Sequence, residues 1–348
     1  MNAPLRASRE ARRRDVRRRR ATAAVGVAAA IAALIALLAS GGGSDARHRP
    51  ARAATGGAPA RTITSVSVTS AGSLPTPLQD AAVAPLGGGE ALLLGGLDQA
   101  EESLADITRL AGGQAVRVGS LPSALHDASA ATLEGRTYLF GGGVISSFPG
   151  ITRVQSGGET AAAGQLPTPA SDVATATLGG TVYVVGGYTG TRPLSTILAW
   201  RPEGAGARVA GTLPKPLRYA AVAALGGRLL IAGGTSGTSA SADVYSFEPA
   251  SGRVQLLATL PHPLTHAAGA ALGGDMLVIG GREAAAESQT DQILAIAPSG
   301  SVHAVGALPR ALSDAAAVTL GARVLIAGGR DATGHVRGEI LSLSAAGA

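Results

Sequence analysis

The sequence predicts an all-β chain: a six-bladed β-propeller preceded by one N-terminal transmembrane helix. Three observations predict it. A unit of 45 to 48 residues recurs six times, each copy holds four short strand candidates, and a run of 19 uncharged residues stands ahead of the first copy.

Residues 1–20 form a basic tail with nine arginines against Glu10 and Asp15. Ala21 to Ala39 then carries no charged side chain, and a helix rising ~1.5 Å per residue over that length matches a hydrocarbon core of ~30 Å. Residues 21–40 are therefore expected to cross the membrane as a signal anchor. Arg17 to Arg20 should stay in the cytoplasm, which sends everything after Ser40 to the extracytoplasmic side. The competing reading is a signal peptide cut at the small residues Ala39-Ser40-Gly41, which would leave a secreted protein. Residues 41–61 are rich in Gly, Ala, Pro and Arg without apolar periodicity, and read as a flexible linker.

The formal charge of +6 belongs to this leader. Residues 62–348 hold 16 basic and 20 acidic side chains. A nucleic-acid binder needs its cations on the folded surface to displace counterions, so nucleic acid is not an expected partner. Cysteine is absent, which excludes disulfides, thiolate metal sites and a cysteine nucleophile. No Walker-type phosphate loop or nucleophile elbow is present, and the only two of the six histidines that stand close together, His262 and His266, read as turn chemistry around Pro263 rather than a metal site; no cofactor and no metal are expected.

The repeats span residues 62–348. Leu-Pro recurs at Leu74, Leu121, Leu166, Leu213, Leu260 and Leu308, and a Gly-Gly doublet recurs in phase, starting at Gly95, Gly141, Gly186, Gly233, Gly280 and Gly328. A period of this length means stacked supersecondary units. In the fourth copy the strands are expected at Tyr219–Leu225, Arg228–Ala232, Asp243–Phe247 and Arg253–Leu257. First strands are built from small residues (AAVAAL, ASAATL, VATATL), as the crowded axis of a propeller requires. Second strands are apolar throughout (TYLF, VYVV, LLIA), as expected where both sheet faces are covered. The doublet that ends them permits positive φ or a close approach of another backbone. After the last doublet only one strand candidate remains, Glu339–Leu343, whereas Thr62–Thr69 alternates like a strand ahead of the first copy. Residues 62–69 are expected to complete the last blade and close the ring.

These residues resemble the kelch repeat: a small-residue strand, a short Leu-Gly-Gly turn, an apolar strand ending in Gly-Gly, and two more strands. Thr177–Tyr188 (TLGGTVYVVGGY) is the closest match. The sequence departs from that pattern in its aromatics. The third-strand Tyr survives only at Tyr245, the fourth-strand Trp has no counterpart, and Trp200 falls in a third strand.

The resemblance also implies a site. In kelch propellers that bind partners, the residue 14 positions before the doublet lies on the rim of the central channel. Here that is Asp127, Asp172, Tyr219, His266 and Asp314, with Asp80 equivalent after one extra glycine in the first copy. Polar residues precede them, among them His126 and Arg218. One reading makes these Asp residues Asx-type turns leading into the strand. The other makes them an acidic rim, with one Tyr and one His, for a cationic group, a basic peptide or sugar hydroxyls. The loops after each doublet (Tyr188, Arg192, Arg282, Glu283, Arg330, Asp331) differ between copies, as recognition loops on a fixed scaffold do. The expected function is an extracytoplasmic binding or scaffold module for a protein or glycan ligand. The resemblance implies an alternative, a carbohydrate-active isomerase or hydrolase like the sialic-acid mutarotases, in which an Asp with His266 or Arg218 moves a proton.

Overall fold

The computed structural model describes residues 62–204 and 206–346. The expected basic tail, membrane helix and linker lie outside the described residues; among those described, no helix is long and apolar enough to cross a membrane. Six antiparallel blades form, of four strands each except blade 4, which carries a short fifth strand, and the inner strands touch in sequence order around a closed circle. The chain is an all-β six-bladed propeller.

Blade 4 shows how the local sequence sets the strands. Its second strand runs Arg228–Ala232, and its inner strand begins only at Ala221. Tyr219 has φ +54°, outside the β region, and the strand starts after it rather than at Tyr219 as the apolar pattern suggests. The third strand is longer than expected, Ser239–Glu248, and the outer strand Arg253–Leu264 runs on through the Leu-Pro step.

The hydrophobic core is divided into six clusters, one at each junction between neighbouring blades. Second strands contribute to both flanking clusters because their alternate residues face opposite blades, which explains their unbroken apolar character. Aromatic packing is concentrated at two junctions. Trp200 meets Tyr138 and Phe140 edge-on at 4.7 and 5.3 Å between blades 2 and 3, and Tyr183 meets Phe247 at 5.5 Å between blades 3 and 4. Aliphatic side chains fill the other four, with Phe148 packed at the edge of the one between blades 1 and 2.

Inner strands of adjacent blades share no ladder, and threonine hydroxyls supply cross-links between them. Thr132 donates to the Pro85 carbonyl at 2.5 Å, Thr177 to the Thr132 carbonyl at 2.9 Å, and Thr319 to the Ala271 carbonyl at 2.7 Å.

Blade 6 takes three strands from the last repeat and its outer strand, Val66–Ser73, from the start of the described chain. Val66 lies opposite Ala345 and Ser73 opposite Glu339. This strand starts later than the alternation of Thr62–Thr69 suggests, because the residues before it are held elsewhere. The Ile63 amide donates to buried Asp275 Oδ2 at 2.7 Å, its carbonyl lies 2.8 Å from His303 Nε2, and its side chain packs between blades 5 and 6.

The doublets tie each blade to the next. In all six, the amide of the second glycine donates to a carbonyl in the segment entering the following blade, for example Gly142 to Ala170 at 3.0 Å and Gly329 to Leu78 at 2.9 Å. The same carbonyl occupies the space where a Cβ on the first glycine would stand. The doublet is thus a close approach of two backbones as well as a positive-φ turn.

Candidate functional site

The backbone places the candidate residues first. Asp80, Asp127, Asp172, Tyr219, His266 and Asp314 all have φ between +54° and +61°. In this left-handed conformation each amide can point along the circle to the preceding blade. Asp127 donates to the Asp80 carbonyl (3.1 Å), Asp172 to Asp127 (2.8 Å), Tyr219 to Asp172 (3.1 Å), Asp314 to His266 (3.0 Å) and Asp80 to Asp314 (2.9 Å). The residue before each of the six pairs with the residue after its own blade's doublet, as His126 does with Gly143 and Arg218 with Thr235. All eight candidate residues therefore stand at one end of the channel. The six ring side chains line a mouth of about 120 Å³ together with the small residues that follow them.

Asp and His are among the non-glycine residues that tolerate this conformation, so the backbone accounts for part of the ring's composition. It does not account for Tyr219, whose bulk makes positive φ costly. The Asx-turn reading does not describe the carboxylates: among the described residues, none of the four bonds to the backbone amide two residues on.

They reach across blades and to neighbouring side chains instead. Tyr219 Oη donates to Asp127 Oδ2 at 3.0 Å, and Arg218 Nη2 donates to Tyr219 Oη at 3.2 Å. Arg218 Nε stands 2.5 Å from Asp172 Oδ2 as an ion pair, and its guanidinium lies over the rings of Tyr188 (4.3 Å) and Tyr219 (4.8 Å). Tyr219 stacks on His266 with ring centroids 3.7 Å apart. His266 Nε2 is 3.8 Å from Asp314 Oδ1, and Ser313 donates to the other oxygen of Asp314 at 2.5 Å. His126 lies 3.6 Å from Asp127 and 2.9 Å from the Ser103 hydroxyl.

Burial dominates the titration of these groups. Asp80 is pushed well above the ordinary carboxylate value by burial and then by Asp314 and Asp127. Asp127 is raised by burial and then by Asp172, against the Tyr219 hydroxyl that favours its ionised form. Asp172 is raised by burial despite the opposing Arg218 charge. His266 is lowered to about 4 by burial, against the pull of Asp314, and is a neutral imidazole at physiological pH. The mouth therefore combines carboxyl groups that hold protons readily, a phenol and a neutral imidazole. It is less a negative well than the sequence suggests, and better suited to hydroxyls than to a bare cation.

The Kelch motif family pattern matches residues 169–204 and 216–261, which cover the three inner strands of blade 3 and most of blade 4 with the segments leading into them. The solved structure of YjhT matches with a TM-score of 0.66 at 14% identity, over 77% of this chain and 95% of that one. The chain is a kelch-repeat β-propeller. At that identity the likeness to YjhT speaks for the fold alone, and no curated protein sequence matches the chain.

The kelch doublet and inner strand position the site, and the loops after the doublet divide its surroundings. Arg282 stands against His266, Nη2 to Nε2 at 3.3 Å, and Tyr188 against Arg218. Asp331 instead binds its own loop, accepting from Thr333 and His335, and Arg192 caps onto Thr189. Thr235, Ser103 and Gln289 also reach the rim residues, the last at 3.3 Å from Ser313. Thr235 was findable as the residue after its doublet; Ser103 and Gln289 sit in loops of unequal length, where no register points to them. Among the described residues no group of three His, Asp or Glu side chains is placed to hold a metal ion.

Proposed function

We propose that this kelch propeller is an extracytoplasmic binding module that presents its channel rim to a protein or glycan ligand, tethered to the membrane through residues 21–40. The observation that carries the reading is the ring of six non-glycine residues held at positive φ around one mouth. Backbone strain kept at six equivalent positions, one of them a tyrosine, marks a place where side chains are wanted at fixed positions. The ring's own hydrogen bonds make those positions rigid, so a ligand meets a pre-organised surface. Location outside the cytoplasm rests on Arg17–Arg20 followed by the apolar run.

A carbohydrate isomerase or hydrolase on the same scaffold is the second reading, favoured by neutral His266 beside Asp314 and by Arg218 on Asp172. Against it, the mouth is well below the roughly 300–1,000 Å³ of pockets that enclose a small-molecule substrate. Glycan and peptide arrays probed with the full chain and with an Asp127→Ala/Asp172→Ala variant test the proposal. Binding lost in a variant that still melts cooperatively supports the rim as the site; unchanged binding reduces those residues to scaffold.

A further inference from the structure

The two faces of the propeller differ in charge. On the face opposite the rim, the turns joining first to second and third to fourth strands, with the strand ends beside them, hold eight arginines and six acids. The remainder of residues 62–348 holds eight cations and 14 acids. Pairing differs more than number. Among the described residues, six of those remaining eight cations form ion pairs with an Asp or Glu, such as Lys215 with Asp243 and Arg117 with Asp106, both at 2.6 Å. Of the eight arginines opposite the rim only Arg109 does, with Glu90 at 2.7 Å.

The contacts of the other seven leave their charge in place. Arg201 Nε donates to the Thr181 hydroxyl at 2.7 Å and Arg323 Nη2 to the Gly89 carbonyl at 3.4 Å, while Arg153 Nε is buried with no hydrogen-bond partner. A cleft opens on this face between blades 1 and 2, and its walls include Glu90, Arg109, Arg136 and Arg153. Its volume of about 490 Å³ falls within the roughly 300–1,000 Å³ of pockets that hold small ligands. Guanidinium groups bind phosphate oxygens through paired, charge-assisted hydrogen bonds, so arginines without acids of their own, gathered on one face, fit phosphate groups.

The chain also enters the propeller at this face. Asp275, which accepts from the Ile63 amide at 2.7 Å, stands in the turn between the first and second strands of blade 5, and Val66, where the closing strand starts, lies opposite Ala345 at the end of the third strand of blade 6. Only residues 41–61 separate this face from the proposed membrane span, and they carry four arginines against Asp45. We propose that the arginine face docks on an anionic phospholipid surface, its unpaired guanidiniums receiving lipid phosphates, so that the rim points away from the membrane. The proposal rests on the tether for bringing the two together, and on the arginines for the attraction. A lipid surface fits better than an acidic peptide because the unpaired arginines are spread over blades 2, 3, 4 and 6, which matches a continuous sheet of anions rather than one extended chain.

Arginine footprinting with phenylglyoxal, read by mass spectrometry, tests this on the full chain reconstituted with vesicles of phosphatidylcholine, alone or with phosphatidylglycerol. At low salt the anionic lipid is expected to slow modification of Arg136, Arg208 and Arg253 by about tenfold, the effect of a docked state favoured about ten to one. Arg192 and Arg310, exposed on the rim side, should react as before, and high salt should abolish the difference. Arg136→Gln/Arg208→Gln/Arg253→Gln should return Arg201 to its rate on neutral vesicles. Equal rates on the two lipids, equal slowing on both faces, slowing that persists in high salt or at Arg201 in the triple variant, or the same protection from inorganic phosphate or polyglutamate without vesicles would each overturn it. The tether fails on a separate result: a full chain that does not float with phosphatidylcholine vesicles in high salt.

Discussion

The glycine doublet and the ring position 14 residues before it both recur in six blades, yet the doublet never varies while the ring reads Asp, Asp, Asp, Tyr, His, Asp. Both have positive φ. The difference lies in what stands where a side chain would go. At the first glycine the next blade's carbonyl fills the Cβ position, so the neighbour's backbone dictates the residue. At the ring position side chains have room to face the mouth, and the backbone restricts the choice without making it. Variation under a fixed backbone is where function has freedom to act.

The largest effect expected from testing this contrast is Gly141→Ala. Its methyl would strike the Ala170 carbonyl, a backbone atom that cannot yield without moving blade 3, and overpacking added to backbone strain should cost about 3 kcal/mol or more. Gly226→Ala, also at positive φ but in an open turn, should cost only about 1 kcal/mol in thermal or chemical unfolding. Equal losses would mean that φ alone fixes the doublet.

Smaller effects separate the ring residues from one another through pH. Asp80 and Asp127 have raised values in the fold, so the native state holds protons that the unfolded chain has released. Their contribution makes the propeller more stable as pH falls from neutral toward the ordinary carboxylate value. Asp127→Asn should therefore raise the melting temperature at neutral pH by a few degrees and flatten that gain. His266 has the opposite sign: its value falls from 6.5 to about 4 on folding, so its contribution is lost as pH drops through that window. His266→Gln should remove part of the acid-side loss, a change of about a degree or two if one proton is involved. A neutral-pH melting point lowered by Asp127→Asn would contradict the burial account of that carboxyl.

Much of the fold was legible because its determinants repeat. Leu-Pro, Gly-Gly and the apolar second strands each recur in six copies of one unit, so the same boundary is marked six times. The start of the closing strand was not legible, since Ile63 is held by Asp275 and His303 from more than 200 residues away in sequence. Nor was the inner-strand start in blade 4, because alternation says nothing about the φ of Tyr219. Candidate rim residues were legible as positions, from the count back to the doublet. Their chemistry was not: the stacked Tyr188–Arg218–Tyr219–His266 ladder and the proton-holding carboxyls come from side chains of four blades meeting at one axis.

The most direct test of the rim as the binding site is to measure affinity and stability together on one variant, Asp80→Asn/Asp127→Asn, in the full chain, with whichever array ligand binds the unaltered protein. The account predicts an affinity loss of about tenfold or more with a melting temperature unchanged or raised, since buried acids become neutral amides of the same shape. Affinity unchanged, or affinity and melting temperature falling together, would place the site elsewhere or make the ring a structural device only.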